Sequence, residues 1–354
     1  MKRLLAALLV LTLLGGLGLT AYADNTGKTP DLSGWTDLVQ IETCRGCILG
    51  LRADGTVLRW GGEEYGLGAV DRWTGIGQIL FSYAYGQDPA VFGLKKDGTV
   101  VTTSAADCSA WHDITDIVSG SGFWVAGLVA DGSVVVTKKG ALCEYDGWEK
   151  GWLDVSGWKG VVALEPLAGW TVTNGLAGIC ADGSVRVTAT ADYSYAEDWR
   201  DIAAVCDTLD ALYGLRKDGS LALPPRAEDM QGEVLTAPIR SWTAIAALTA
   251  GHQDDLFAVR QDGRVETSSS AFEYPFADAA GSWEKIRSLY ADYDLLIGVR
   301  TDGRLAFCGG RELPELASWR GIEDVRIGGD GDTTWVIGLR TDGTAVLAEA
   351  ANWY

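Results

Sequence analysis

Eight copies of one hairpin phrase, eight tryptophans set ahead of them and the lack of any long helical period predict an all-β protein. Repeats of about forty residues built from short strands point to a β-propeller of eight repeats. The phrase reads Gly-Leu-x-x-Asp-Gly-x-Val or a close variant. Its turn residues are Asp54 and Gly55, Asp97 and Gly98, Asp131 and Gly132, Asp182 and Gly183, Asp218 and Gly219, Asp262 and Gly263, Asp302 and Gly303, and Asp342 and Gly343. Successive aspartates lie 34 to 51 residues apart.

The chain begins with a segment outside this pattern. Lys2 and Arg3 precede an apolar run from Leu4 to Leu19, followed by Ala21-Tyr22-Ala23. That is the layout of a secretory leader cleaved after Ala23. An uncleaved anchor is the alternative, although the run is slightly short for a spanning helix. The expected organisation is a signal peptide, 1–23, and one propeller domain, 24–354, exported and without a further membrane span.

Each repeat opens on a tryptophan: Trp35, Trp73, Trp111, Trp158, Trp199, Trp242, Trp283 and Trp319, each 19 to 24 residues before its aspartate. Apolar residues follow at strand spacing, as in Trp111-His112-Asp113-Ile114, so this is read as a strand with a structural Trp at its start. Asp-Gly between alternating apolar residues is a tight hairpin turn, because Gly supplies positive φ freely and Asp tolerates it. Each unit thus has three or four strands, and closing the ring removes exposed ends. Glycines serve the turns and close strand packing.

The phrase resembles the short bacterial form of the regulator of chromosome condensation repeat over roughly residues 30 to 354. Trp60-Gly61-Gly62-Glu63-Glu64-Tyr65-Gly66-Leu67-Gly68 is the best single match to that family's Trp-Gly-x-Asn-x-x-Gly-Gln-Leu-Gly loop, with Glu63 in place of Asn. The resemblance implies a propeller, most often of seven blades. The eight repeats favour eight blades, seven being the alternative if one repeat is recruited elsewhere. Asn352-Trp353 resembles the start of a ninth unit, a candidate strand to pair with the first repeat and close the ring.

Strand parity places the Asp-Gly turns at one end of the ring and the variable loops at the other. In the loops after the Trp strands, one arc is aromatic: Tyr83, Tyr85, Phe123, Trp124 and Trp170. The opposite arc is acidic, with Asp207, Asp210, His252, Asp254, Asp255, Asp292, Asp294, Asp330 and Asp332. Read functionally, these residues form a binding face, the rings offering flat apolar contact and the carboxylates attracting a basic partner. Read structurally, the aromatics fill the ring and the aspartates make Asx-turns at loop tips. Loops after the hairpins add Tyr193 and Tyr195 among other aromatics.

Composition bounds the partners. The formal charge is −19, and removing Lys2 and Arg3 with the leader makes it more negative. Lys and Arg form no sequence cluster, so nucleic acid is not expected as a partner. The seven cysteines are Cys44, Cys47, Cys108, Cys143, Cys180, Cys206 and Cys308. Export permits disulfides, but an odd number leaves one unpaired. The Cys44-x-x-Cys47 pair lacks both a thioredoxin context and a second zinc half-site, which leaves a local disulfide or two buried thiols.

No cofactor is expected. Asp330-Gly331-Asp332 and Asp292-x-Asp294 resemble fragments of calcium loops without the terminal Glu, so weak Ca2+ binding is the alternative. Two histidines, His112 and His252, and no nucleophile-elbow or metalloprotease motif argue against an enzyme. A carboxylate pair for glycan hydrolysis is the least favoured option. The expected function is a secreted monomeric module binding an extracellular protein. The alternative is a cell-envelope glycan held by the aromatic arc.

Overall fold

Asp-Gly hairpins organise the whole molecule. The computed structural model describes residues 29–83, 88–120, 124–137, 153–167, 175–188, 193–208, 211–225, 239–251, 255–268, 277–292, 294–309 and 312–351. Over these, the chain forms eight antiparallel sheets of three strands each, all in sequence order. Blade one is Leu38–Cys44, Cys47–Arg52 and Val57–Trp60; blade eight is Ile322–Gly329, Thr333–Arg340 and Ala345–Ala351. The first strands touch one another in succession, and that of blade eight touches that of blade one. They form the inner ring, with the third strands at the rim. The protein is an eight-bladed β-propeller, as the repeats predict.

The turns differ from the sequence expectation in one detail. Gly55 has φ of 88°, whereas Asp54 is not left-handed. The Gly55 N–H donates to Arg52 O (2.9 Å) and the Arg52 N–H to Thr56 O (2.9 Å). That is a type I turn closed by a glycine bulge, which needs positive φ only at Gly. Asp54 acts through its side chain, its Oδ1 accepting from Thr56 N (2.8 Å) and Thr56 Oγ1 (2.7 Å). The backbone cap recurs at Asp97, Asp131, Asp182, Asp218, Asp262, Asp302 and Asp342.

Every turn also docks on the next blade. The Ile76 N–H donates to Gly55 O (3.0 Å), and the same bond repeats round the ring to Ile322 N with Gly303 O (2.9 Å). The ring closes when Leu38 N of blade one donates to Gly343 O of blade eight (2.9 Å). A Cβ on Gly55 would stand 2.8 Å from Ile76 N, so the turn glycine is also required by this approach.

Each starting Trp lies on its own blade's middle strand. A Cβ on Gly50 would meet Trp35 Cε3 at 2.7 Å, and one on Gly214 would meet Trp199 Cε3 at 2.8 Å. The Gly of the repeated phrase is thus the seat of the Trp ring. Blade six has Ala258 there, fully buried with Trp242 in one cluster. Between blades, connecting segments insert apolar residues; Leu67 and Val70 fill the space between Leu49 of blade one and Ile79 of blade two. Tyr193 and Tyr195 also serve this role, Tyr193 being buried and Tyr195 stacking obliquely on Trp199.

Closure needs no exchanged strand, since blades one and eight each own three strands; Asn352 and Trp353 lie outside the described residues. The two blades share a core of Trp35, Ile41, Ile48, Trp335 and Ile337. Beside it, Arg326 Nη2 meets Glu42 Oε1 at 3.2 Å and Arg326 Nη1 meets Asp324 Oδ2 at 2.7 Å. Tyr290 Oη donates to Asp324 Oδ1 (2.6 Å), and Gln40 Nε2 donates to Glu42 Oε1 (2.9 Å). Burial disfavours the Arg326 charge, but Glu42 and Asp324 more than offset it and keep the guanidinium protonated.

Two outcomes follow from this architecture. Replacing Arg326 by Met leaves Glu42 and Asp324 facing each other without a cation, and should cost about 3 kcal/mol; chemical denaturation measures it, and an unchanged midpoint contradicts the latch. The second concerns acid. Hydrogen bonds from the residue two positions on hold Asp54, Asp97, Asp131, Asp182, Asp218 and Asp342 below their ordinary value of 3.8. A depressed folded pKa means the caps contribute fully above that value and are lost as pH falls through the folded one. The melting temperature should therefore drop below about pH 4. Asp→Asn at the six positions keeps the cap acceptor and should flatten that drop in a thermal melt.

Candidate binding face

Opposite the turns, the loops between first and second strands vary where the turns do not. All eight Asp-Gly connections leave four residues between strands, from 53–56 to 341–344. The opposite connections run from two residues, 45–46, to seven, 83–89 and 168–174.

One of the two shortest such loops, 45–46, carries a well-defined polar contact. Arg45 and Gly46 have φ of 44° and 73°, a left-handed pair suited to a two-residue hairpin. Gly46 N donates to Gly329 O of blade eight (2.8 Å). Arg45 reaches the other way, donating from Nη2 to Tyr83 Oη (2.6 Å), with its guanidinium carbon 4.2 Å from the Tyr83 ring centroid. Tyr83 is half-buried and is held by this cation. Tyr65 lies nearby; burial, then Glu64, pushes its hydroxyl up to about 12, so it stays a neutral donor. Arg45 was not singled out in the sequence, where a lone Arg inside a Cys-x-x-Cys carries no signal.

The remaining aromatic arc is only partly described: Tyr85, Phe123 and Trp170 lie outside the described residues. Trp124 corrects the expectation. It is 0% exposed, in a cluster with Ala126, Leu153, Leu164 and Leu176 between blades three and four. A Cβ on Gly120 would stand 2.5 Å from Trp124 Cζ2, so this glycine makes room for a core ring and not for a ligand.

The acidic arc is also uneven. Asp210, His252 and Asp254 lie outside the described residues. Asp207 and Asp255 are buried, Asp292, Asp294 and Asp330 are half-buried, and Asp332 is exposed. Asp207 ends its inner strand opposite Leu212. Asp255 closes its loop through Gly251 N to Asp255 O (2.8 Å). Asp330 Oδ1 accepts from Asp332 N (3.1 Å) and Thr333 N (2.9 Å), an Asx-turn at a loop tip. Among the described residues no group of three His, Cys, Asp or Glu side chains is placed to hold a metal ion.

Six cysteines are free thiols; Cys143 lies outside the described residues. Cys44 and Cys47 pair across the strands at the two-residue turn without a disulfide. Burial pushes the Cys44 thiol up to about 12 and those of Cys108 and Cys308 to about 11, which keeps them protonated and unreactive.

No model of a known protein family matches the sequence, and no curated protein matches it. Solved structures are similar at a low level. A computationally designed protein, Ika8, is 14% identical, covering 90% of this chain and 97% of its own, with a TM-score of 0.49. The ectodomain of the Physcomitrella patens receptor kinase CR4 is 15% identical, covering 79% and 74%, with a TM-score of 0.49. Yeast RCC1 (Prp20), in a complex with Kap60, is 12% identical, covering 90% and 81%, with a TM-score of 0.41. Likeness at this level carries no functional argument, so the reading below rests on this chain's own geometry.

Burial separates the two kinds of aspartate. Asp255→Lys puts a long cationic side chain where a short one is buried at the base of a loop, and should cost at least about 2 kcal/mol. Asp332→Lys on an exposed tip should change stability by no more than about 0.5 kcal/mol. Thermal melts of the two variants compare them directly; equal shifts contradict the assignment.

Proposed function

We propose that this chain is an exported, non-enzymatic binding module whose eight-bladed ring presents the loops of one face to an extracellular protein partner. The leader is removed after Ala23, and the mature chain 24–354 acts as a monomer without a cofactor. The observation that carries this reading is the contrast in loop length. Connections at the Asp-Gly end all have four residues, whereas those at the other end range from two to seven. Turns that each bond to the next blade cannot change length without disturbing the ring. Loops at the opposite end have no such bond repeated at every blade, Gly46 to Gly329 O being a single case among the described residues, and a rigid scaffold is where recognition loops diversify.

Tyr83, held by Arg45 at the seam of blades one and two, gives this face an ordered aromatic anchor. Tyr85, Phe123 and Trp170 belong to the same set of loops; Trp124 is withdrawn from it because it is core.

Chain 24–354 and a variant with Tyr83, Tyr85, Phe123 and Trp170 changed to Ala, immobilised side by side, are exposed to culture supernatant and washed cell envelope. The expected result is a defined protein captured by the parent chain and lost in the variant, with both forms equally folded by circular dichroism. Retention on envelope polysaccharide alone supports the glycan alternative. Equal capture by both forms removes this face from the function.

A further inference from the structure

The turn end of the ring carries a charge pattern that the linear sequence hides. Two short segments of each blade meet there: the five residues from the starting Trp, and the five centred on the turn Asp. In blades five to eight these segments hold eleven Lys and Arg against seven Asp and Glu. In blades one to four they hold four against six, and the whole chain has 29 against 48. One half of one face is therefore cationic on a strongly anionic protein.

The fold produces this clustering. Cations about forty residues apart in sequence become neighbours because each turn docks on the next blade's strand start. The Lys217 N–H donates to Asp201 O (2.9 Å) within blade five, and Gly219 O of the same turn accepts from Ile245 N of blade six (2.9 Å). The Gly263 turn of blade six lies against Lys285 of blade seven, whose Cα would be 3.0 Å from an added Cβ. The Lys285 carbonyl in turn accepts from Thr301 N (2.8 Å) in the turn that bears Arg304.

Of the eleven cations, Arg216, Arg260, Arg300 and Arg340 are half-buried, Arg260 in an ion pair with Glu266 (2.8 Å), and Arg287 is exposed but donates to Ile322 O (3.1 Å); the other six fall into two groups. Arg200 and Arg320 are exposed yet committed to carbonyls, Arg200 Nη1 to Trp199 O (2.6 Å) and Arg320 Nη1 to Trp319 O (2.7 Å). Lys217, Arg264, Lys285 and Arg304 are exposed, and among the described residues only Arg304 has a carboxylate partner, Asp302 at a loose 3.8 Å. Folding does not account for these four side chains. The turn aspartates that share the face cap backbone N–H groups and keep their negative charge, so what the face presents is the excess of eleven cations over seven acids.

We propose that the turn face of blades five to eight is a docking surface for a linear, phosphate-rich polyanion that runs along the arc of blades. An extended polymer fits because the free cations are spread over successive blades. A single small anion could engage only one or two of them. The remainder of the surface is anionic and repels the same polymer, which restricts contact to this arc and turns the variable loops away from it. This surface is separate from the loop face assigned above and does not depend on it.

The test titrates chain 24–354 with polyphosphate of defined length, with orthophosphate and with phosphatidylglycerol vesicles in parallel. Polyphosphate should bind at low salt with an affinity that falls linearly in log salt, and orthophosphate should not compete. Charge reversal by Lys217→Glu, Arg264→Glu, Lys285→Glu and Arg304→Glu should weaken binding by about tenfold or more. A milder set with Gln at the same positions should give an intermediate loss, which keeps the test valid if the reversed form misfolds. Tyr83→Ala should leave polyphosphate binding unchanged. The proposal is overturned if the parent chain does not bind polyphosphate at low salt, if the Gln variant binds as tightly as the parent, or if vesicles bind and the polymer does not.

Discussion

The hydrogen bond from the first inner-strand N–H of one blade to the turn-glycine carbonyl of the blade before it is the contact on which the ring depends. It occurs eight times, the last joining Leu38 to Gly343. It has a backbone cost. The residue just before each inner strand is left-handed in every blade: Asp37, Gly75, Asp113, Gly160, Asp201, Ala244, Lys285 and Gly321 have φ between 55° and 70°. For Ala244 and Lys285 that conformation costs roughly 1–2 kcal/mol. It persists because the same residue's carbonyl accepts from its own blade's turn, as Ala244 O does from Gln261 N (2.7 Å). One strained residue thus connects two turns, and the eight-fold repetition leaves no free end at which the strain could relax.

A ring closed in this way does not need chain termini woven into a shared blade, and side chains reinforce the backbone bonds across the seam between first and last. Trp335 is buried there and meets Trp60 edge-on at 5.4 Å. Arg326 bridges Glu42 and Asp324 on the inner strands. The neighbouring seams use a cheaper device. Gln40 donates to Ile79 O (2.7 Å) and accepts from Ile79 N (3.0 Å), and Gln78 does the same with Ile117. The equivalent positions of blades four to six are Ala163, Ala204 and Ala247, which pack against apolar clusters and cannot make such a clamp. The ring is regular in backbone and uneven in how its seams are held, with polar clamps concentrated around the junction of its ends.

What could be read in advance was whatever repeats. Asp-Gly, the starting Trp and the phrase glycine each recur eight times or nearly so, and each has a local physical reason, so the count of repeats and the blade architecture were legible. The left-handed position was not, because Asp, Gly, Ala and Lys share it and no composition marks it. Nor was burial within the loops. Trp124 read as one of a set of loop aromatics, but Gly120 opens a slot that takes its ring into the core. Asp207 and Asp255 looked like loop-tip carboxylates but end or close strands. Lys and Arg looked unclustered because the clustering is set by the repeat period and appears only when eight units close.

These differences share a cause that bears on function. A repeat fold spends its repeated residues on the contact between neighbours, here at one end of each blade, and so fixes the geometry of that end to the residue. Whatever side chains that end carries beyond the turn chemistry are held on a rigid lattice with the blade repeat as its spacing, which suits a partner that is itself periodic. The other end inherits rigidity at the loop bases and freedom at the tips, which suits a partner with an irregular surface. Tyr83 clamped by Arg45 and the variable loops belong to the second kind; Lys217, Arg264, Lys285 and Arg304 belong to the first. On the two proposals made above, the same bond that closes the ring divides its two faces between two modes of recognition, one matched to a repeating ligand and one to a folded protein.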